Sequence, residues 1–329
     1  MIVGQEKAVA QFASAWAGRK LHHAWLLAGP RGVGKATFAR AAARRVLLDA
    51  AGPPVELPGL DTPAEHPMVK LVDAGSHPDM RWLERIENPK AKTPGTLYRN
   101  IIVDQVRALG EFMSLSAALS PWRVVVIDTV DELEPSGANA LLKMLEEPPA
   151  NSIFFLVSHA PGRLLPTIRS RCRQLHFEAI GDDAMASILE AHSPGLSAAE
   201  RQRIVGMSFG SAGRALAFAE LGLAKIEDAA LAILRQGDPT NARRSELASD
   251  LGKKGSADRY AAFLELAPSL IAREARALRG PPLERALDAY AKARELAAVA
   301  PRVSLDPAAT VFQIGGILAS VAEPASLKR

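Results

Sequence analysis

The chain has 329 residues, 48% of them hydrophobic and 23% charged, with a formal net charge of +4; it has room for two or three globular domains, and its mild charge permits nucleic-acid contact without arguing for it. No apolar run approaches the ~20 residues of a membrane span, and the segment from Met1 to Lys7 has no signal-peptide architecture, so the reading is cytoplasmic, with no membrane partner. The single cysteine, Cys172, excludes an intrachain disulfide framework and a cysteine-rich zinc site.

In chain order, residues 5–19 read as a helix with Val9, Phe12, Ala13 and Trp16 on one face. The apolar run Ala24–Ala28 reads as a short buried strand. It breaks into a glycine-rich turn, then an alanine-rich helix from about Lys35 to Leu48. Residues 51–67 are rich in proline and glycine and read as a surface loop. Val69–Asp73 and Met80–Glu84 read as short strands, and 85–100, with Lys90, Lys92 and Arg99 around Pro94-Gly95, as a polar loop with a solvated charge cluster. Val103, Val106, Leu109, Phe112, Met113 and Leu119 form a helical core stripe. Arg123–Asp128 and Ser152–Ser158 are continuous apolar strands of the kind buried on both faces. Between them a helix over 136–147 stops at Pro148-Pro149, and Gln174–Phe177 is a last short strand. Alternating strands and helices imply a doubly wound parallel sheet with ligands at the carboxyl ends of the strands. After Glu178 the strand signal ends. Short helices fill 181–222, and alanine- and leucine-rich helices run from 225, with breaks at Gly237-Asp-Pro239, Gly280-Pro-Pro282 and Pro301.

The strand–turn–helix over Ala24–Leu48 carries Gly29, Gly32, Gly34 and Lys35, a phosphate-cradling P-loop of the form G-x-x-x-x-G-K. Backbone N–H groups, the helix N-terminus and the lysine together suit phosphate oxygens. The next position needs a hydroxyl for Mg²⁺ and is Ala36. Thr37 comes one residue late, about 100° round the helix. Asp128, ending a buried strand, sits where a Walker B aspartate organises Mg²⁺. The following position, a glutamate in active ATPases of this architecture, is Thr129, and Glu132 is out of register. Hydrolysis thus lacks two of its parts, while the retained loop and Lys35 allow ATP or ADP to bind without turnover.

Ser170-Arg171-Cys172 lies just before the last strand. On physical grounds alone its arginine reads as a cation near a helix C-terminus; the sharper reading is an arginine finger reaching a neighbour's nucleotide. Arg214, near the start of a helix, hints at an anion close by, though a solvent-exposed arginine is as good a reading. Cys172 beside arginines is expected to have a lowered pKa, with no paired base to make it a nucleophile. The seven histidines show no ligand spacing and read as structural.

Ala138–Pro149, with its Leu-Leu-Lys-Met-Leu-Glu-Glu-Pro-Pro run, and Ser170-Arg171-Cys172 resemble signature stretches of the clamp-loader branch of the AAA+ proteins. Val3-Gly-Gln5, Ser76-His-Pro-Asp79 and Val103-Asp-Gln-Val-Arg107 are also similar to that branch, and the likeness covers the first ~220 residues. The resemblance implies an α/β P-loop AAA+ base domain over 1–178, a small helical lid over 179–224 and an all-α collar for oligomerisation over 225–329. It implies a hetero-pentamer-like ring with motor subunits called gamma or tau and a delta subunit, acting indirectly on a sliding clamp and primer-template DNA. It raises the finger reading of Arg171; Arg214 is counted among the nucleotide-side residues on its place near a helix start alone. The motif defects point to a non-motor member needing no cofactor or zinc. The alternatives are a self-sufficient AAA+ ATPase motor, with Thr37 and Glu132 rescuing the defects, and, more distantly, an unrelated P-loop kinase. The apolar stripes Phe263, Leu266, Leu270, Ile271 and Val311, Ile314, Ile317, Leu318 are expected to turn in part toward partner helices.

Overall fold

The computed structural model describes residues 2–91 and 95–322. Lys92 and Pro94 of the expected charge cluster, and the last residues of the expected collar, lie outside them. The chain divides into two compact units, one of Met1–Ala184 with Gly210–Gly213, the other of Met185–Phe209 with Arg214–Arg329. The expected cuts at 178 and 224 divide the chain more finely than these units do.

The first unit is built on five strands: β1 (Ala24–Ala28), β2 (Met80–Leu83), β3 (Arg123–Asp128), β4 (Ser152–Ser158) and β5 (Arg173–His176). They pair in the order β2-β3-β4-β1-β5, every pair parallel. This is the expected doubly wound parallel sheet. Parallel neighbours need crossovers, and helices on both faces supply them: α1 (Glu6–Ala17), α2 (Lys35–Ala51), α3 (Pro67–Asp73), α4 (Val103–Ser114), α5 (Pro135–Glu146) and the short α6 (Pro166–Ser170). Alternate residues of each strand serve opposite faces. Trp25, Leu27, Val124, Val126 and Phe155 join Phe12 of α1 and Phe38, Ala39 and Ala42 of α2 in one core. Ala24, Leu26, Val125, Ile127, Phe154 and Leu156 meet Leu109 and Phe112 of α4 and Leu141 and Leu145 of α5 in the other. With both faces covered, the central strands have no polar side to show, which is why they read as unbroken apolar runs.

Two sequence expectations change here. Val69–Asp73 is helical, not a strand. Pro67 sits in the first turn, the His66 ring accepts from Met68 N at 3.2 Å, and Val69 and Val72, three apart, are buried together where α3 packs on α2. Leu119 lies beyond α4 and is 48% exposed. The turn it belongs to is held by a carboxylate: Ala118, Leu119 and Ser120 N–H groups donate to Asp79 at 2.7, 2.7 and 2.9 Å. Burial by itself would raise the Asp79 pKa; the three N–H donors outweigh it and hold it below the usual carboxylate range. A depressed folded-state pKa means the stabilisation is present above the unfolded value, ~3.9, and is lost as pH falls through the folded one. Asp79→Asn is expected to cost about 2 kcal/mol at pH 7. In denaturation of wild type and variant, that gap should narrow below about pH 4; a gap constant with pH would show that the charge of Asp79 is not what holds the turn.

The second unit is all helical: α7 (Asp182–His192, which begins in the first unit), α8 (Ala198–Ser208), α9 (Ala212–Glu220), α10 (Ala224–Gln236), α11 (Ala242–Leu251), α12 (Ala257–Ala275), α13 (Pro281–Val299) and α14 (Pro307–Ala319). α8 packs against α10 and α12, so the segment before residue 225 shares a core with the helices after it. Glu227 of α10, 3% exposed, sits between two arginines: Arg273 Nη2 of α12 at 2.9 Å and Arg203 Nη2 of α8 at 3.5 Å. The stripes expected to turn in part toward partner helices are mostly inward, with Ile317 half-buried. Phe263, Leu266, Leu270, Ile271, Val311, Ile314 and Leu318 are buried in this unit's own core. Helix α13 instead buries only Ala286, Ala289 and Ala293. It leaves Leu287 54% and Val299 40% exposed, followed by exposed Val303 and Leu305. No helix among the described residues is long and apolar enough to cross a membrane.

Candidate functional site

The site lies at the carboxyl ends of β1, β3 and β4, where a parallel sheet with helices on both faces leaves its crevice. Gly29–Gly34 connects β1 to α2. Gly34 caps α2 with φ +97°, a left-handed conformation, and a side chain there would meet only open space. The cradle at that residue is therefore shaped by backbone freedom. Gly32 is different. A Cβ at Gly32 would stand 2.2 Å from Ser211 Oγ, and Gly213 N donates to Gly32 O at 3.0 Å. The 210–213 turn is packed directly on the loop. Gln5 ties the loop to the end of the sheet from the other side, its Nε2 donating to Val33 O at 3.2 Å and to Glu178 O at 2.8 Å.

Lys35 is 3% exposed. Its ammonium donates to Gly29 O at 2.6 Å and also to Pro30 O, so it is folded back on the carbonyls of its own loop. Burial pushes its pKa down to about 8, against the pull of Asp131 and Asp128. Ala36 brings only a methyl group to the hydroxyl's position, and Thr37 is exposed. Asp128 closes β3. Burial raises its pKa; the Thr129 hydroxyl, donating to Oδ1 at 3.3 Å, works the other way.

Around these stand two residues that the motifs alone do not single out, Asp131 and His159. Asp131 accepts from Ser158 Oγ at 2.7 Å and His159 N at 2.6 Å, locking the end of β4 to the turn after β3. His159 Nε2 lies 3.2 Å from Thr129 Oγ1. With the threonine proton on Asp128, Nε2–H is the donor in that contact, and Nδ1 is buried with no hydrogen-bond partner. Burial drives the His159 pKa down to about 4, and Lys35 adds to the shift, so the ring is neutral at pH 7. The available signal was position: Ser158-His159 ends the strand between β1 and β3.

Chemically, the arrangement can receive an anion at the α2 N-terminus and neutralise it with Lys35 once the ammonium leaves its carbonyls. It has no hydroxyl at residue 36 to share in holding Mg²⁺ and no carboxylate after Asp128 to orient a water. Glu132 is paired elsewhere, 2.8 Å from Arg85 Nε. Among the described residues no three of His, Cys, Asp or Glu gather as a metal site.

The two arginines of interest lie in different units. Arg171 follows α6 in the first. Its Nη1 donates to Thr167 O at 3.0 Å and its Nη2 is 2.7 Å from Glu146 Oε1, with the side chain 34% exposed. Arg214 belongs to the helical unit, where Nε is 3.4 Å from Glu265 Oε2. Cys172 departs from expectation: its half-buried thiol is pushed up to about 12 by burial.

With that geometry in place, comparison with known proteins is informative. A family model described as DNA polymerase III, delta subunit, matches residues 4–181. The chain is 37% identical over 198 residues to DNA polymerase III subunit delta' of Pseudomonas aeruginosa, covering 59% of this chain and 55% of that protein. It is 30% identical over 275 residues to the tau subunit of Bacillus subtilis, covering 80% of this chain and 45% of that one. The chain thus spans about half the length of these curated relatives. A solved structure of a gamma subunit-related protein from Thermotoga maritima aligns over 96% of this chain and 98% of that chain, at 17% identity and a TM-score of 0.44.

Proposed function

We propose, from the premise that this chain belongs to the DNA polymerase III delta-subunit family, that it is the delta-prime-like, non-motor subunit of a clamp loader. In this role it completes a ring with gamma/tau and delta subunits and helps load a sliding clamp on primer-template DNA in the cytoplasm. It offers Arg171 as a finger to the nucleotide of a neighbouring motor subunit. The observation that carries the non-motor reading is the state of its own P-loop site. Lys35 is folded on the carbonyls of Gly29 and Pro30, a methyl stands at residue 36, and the Thr129 hydroxyl is turned to Asp128. ATP or ADP binds there, if at all, without turnover, and the subunit needs no cofactor of its own. The self-sufficient motor is the second reading, favoured by the likeness to tau. It requires Thr37 and Glu132 to replace the missing groups, and the Glu132–Arg85 pair argues against that.

The test is to mix the purified chain with gamma/tau and delta subunits and weigh the product by native mass spectrometry, while measuring ATP turnover by the chain alone. A defined hetero-oligomer and negligible turnover are expected. Turnover near ~1 s⁻¹, the low end of ordinary enzymes, abolished by Lys35→Ala, would favour the motor. Failure to join any complex would remove the ring assignment.

A further inference from the structure

The two signature stretches of the sequence, Ala138–Pro149 and Ser170–Cys172, meet at one ion pair. Glu146 is the last residue of α5, and its Oε1 is 2.7 Å from Arg171 Nη2. On the other nitrogen, Nη1 donates to Thr167 O at 3.0 Å. We propose that Glu146 is a positioning residue for Arg171, fixing the plane and direction of the guanidinium before a neighbour's triphosphate arrives. The inference rests on the reading of Arg171 as a finger.

One contact would leave the guanidinium free to swing; two, on different nitrogens, set its plane. An arginine has five N–H donors in a rigid fork. These contacts engage one hydrogen on each Nη, and three donors remain for an incoming acceptor. Glu146 is well suited to the task because it stands on a helix and not on a loop. α5 ends just where Pro148-Pro149 stops it, and α5 packs against α6. Arg171 is itself the residue that caps the C-terminus of α6, an end that favours a cation. The pair is half exposed, 34% on Arg171 and 48% on Glu146. An ion pair that open is weak, so it can orient the side chain without withholding it. A carboxylate that competed with the triphosphate would have the opposite kinetic sign, which makes the two roles separable.

The experiment uses the full chain assembled with gamma/tau and delta subunits, with DNA-stimulated single-turnover ATP hydrolysis at the served site measured at varied ATP for wild type, Glu146→Gln, Glu146→Asp, Arg171→Ala and the Glu146→Gln/Arg171→Ala pair. Glu146→Gln is expected to lower kcat at the finger's site two- to fivefold, about 0.4–1 kcal/mol at ~1.4 kcal/mol per tenfold, with KM little changed. Glu146→Asp should recover part of the loss, and the double variant should match Arg171→Ala. Glu146→Gln turning over at or above the wild-type rate overturns the proposal. So does a double variant slower than Arg171→Ala by the full Glu146→Gln factor, since Glu146 would then act independently of Arg171. Arg171→Ala at the wild-type rate is a different failure: it removes the finger reading on which the inference stands.

Discussion

Arg171→Ala, assembled into the proposed ring, is expected to fold and assemble normally yet lose ~10³–10⁵ in hydrolysis at the one neighbouring site that the proposed finger would serve, about 4–7 kcal/mol of barrier. Folding should survive because the side chain gives up only a half-exposed pair with Glu146 and one bond to Thr167 O, contacts worth about 0–1 kcal/mol. The catalytic loss is large because a planar cation with several donors matches charge spreading over the equatorial oxygens of the transferring phosphoryl group. Total ATPase falls less where other sites keep their own arginines, so the decisive readout is single-turnover hydrolysis at the served site, followed by clamp loading. Arg171→Lys should rescue little, since a point charge cannot reproduce the fork. Arg173→Ala is the control. Its guanidinium lies 5.1 Å from the centre of the Trp25 ring, so it should cost about 0.5–1 kcal/mol of stability and no turnover. An assembled Arg171→Ala ring working at the wild-type rate would return Ser170-Arg171-Cys172 to a structural turn.

Glu227→Ala should clearly destabilise the helical unit. The carboxylate is 3% exposed and joins α8, α10 and α12 through Arg203 and Arg273. Glu227→Ala removes two charge-assisted contacts, while Arg203 and Arg273, 38% and 28% exposed, keep access to water. Arg203 also bonds Asp228 at 2.6 Å and Ala224 O at 3.1 Å, so it keeps partners, and a loss of about 2 kcal/mol is expected. Glu227→Met should lose less, because it refills the volume and lets the arginines turn to solvent. Urea unfolding followed by far-UV circular dichroism is the measurement; a Glu227→Ala shift under ~0.5 kcal/mol, the range of an ordinary surface change, would show the cluster to be decorative. The same cluster bears on any attempt to separate the region before residue 225 from the helices beyond it. α8 relies on α10 and α12, and a chain cut near Leu223 would lose that support.

Much of the first unit could be read directly from residues. β1, β3 and β4 begin and end where their apolar runs do, because strands buried on both faces admit no polar residue until the sheet stops. The P-loop was legible because glycines, lysine and helix must follow one another in sequence. α3 was missed because five residues of mixed polarity are too few to separate a period of 3.6 from one of 2, and the deciding facts, the His66 cap and packing on α2, are tertiary. Asp131, His159 and Glu146 were missed for a related reason. Their partners lie up to 30 residues away, brought together only by strand order and helix packing. In the helical unit, periodicity marked apolar stripes correctly but could not say which core they served. The longest ones are inward, while α13, whose inner face is alanine, leaves Leu287 and Val299 exposed.

The contact between Gly32 and the 210–213 turn changes what a glycine-rich loop can be taken to mean. A residue with any side chain at position 32 would run into Ser211, and the Gly32 carbonyl is already the acceptor for Gly213 N. With φ at +77° as well, the backbone itself favours glycine there whether or not a phosphate ever occupies the loop. A chain that has given up hydrolysis would keep this part of its motif for architectural reasons alone. For telling a working nucleotide site from a vestigial one, the glycines are poor witnesses; residues 36 and 129, whose side chains the chemistry itself would use, are the ones that discriminate.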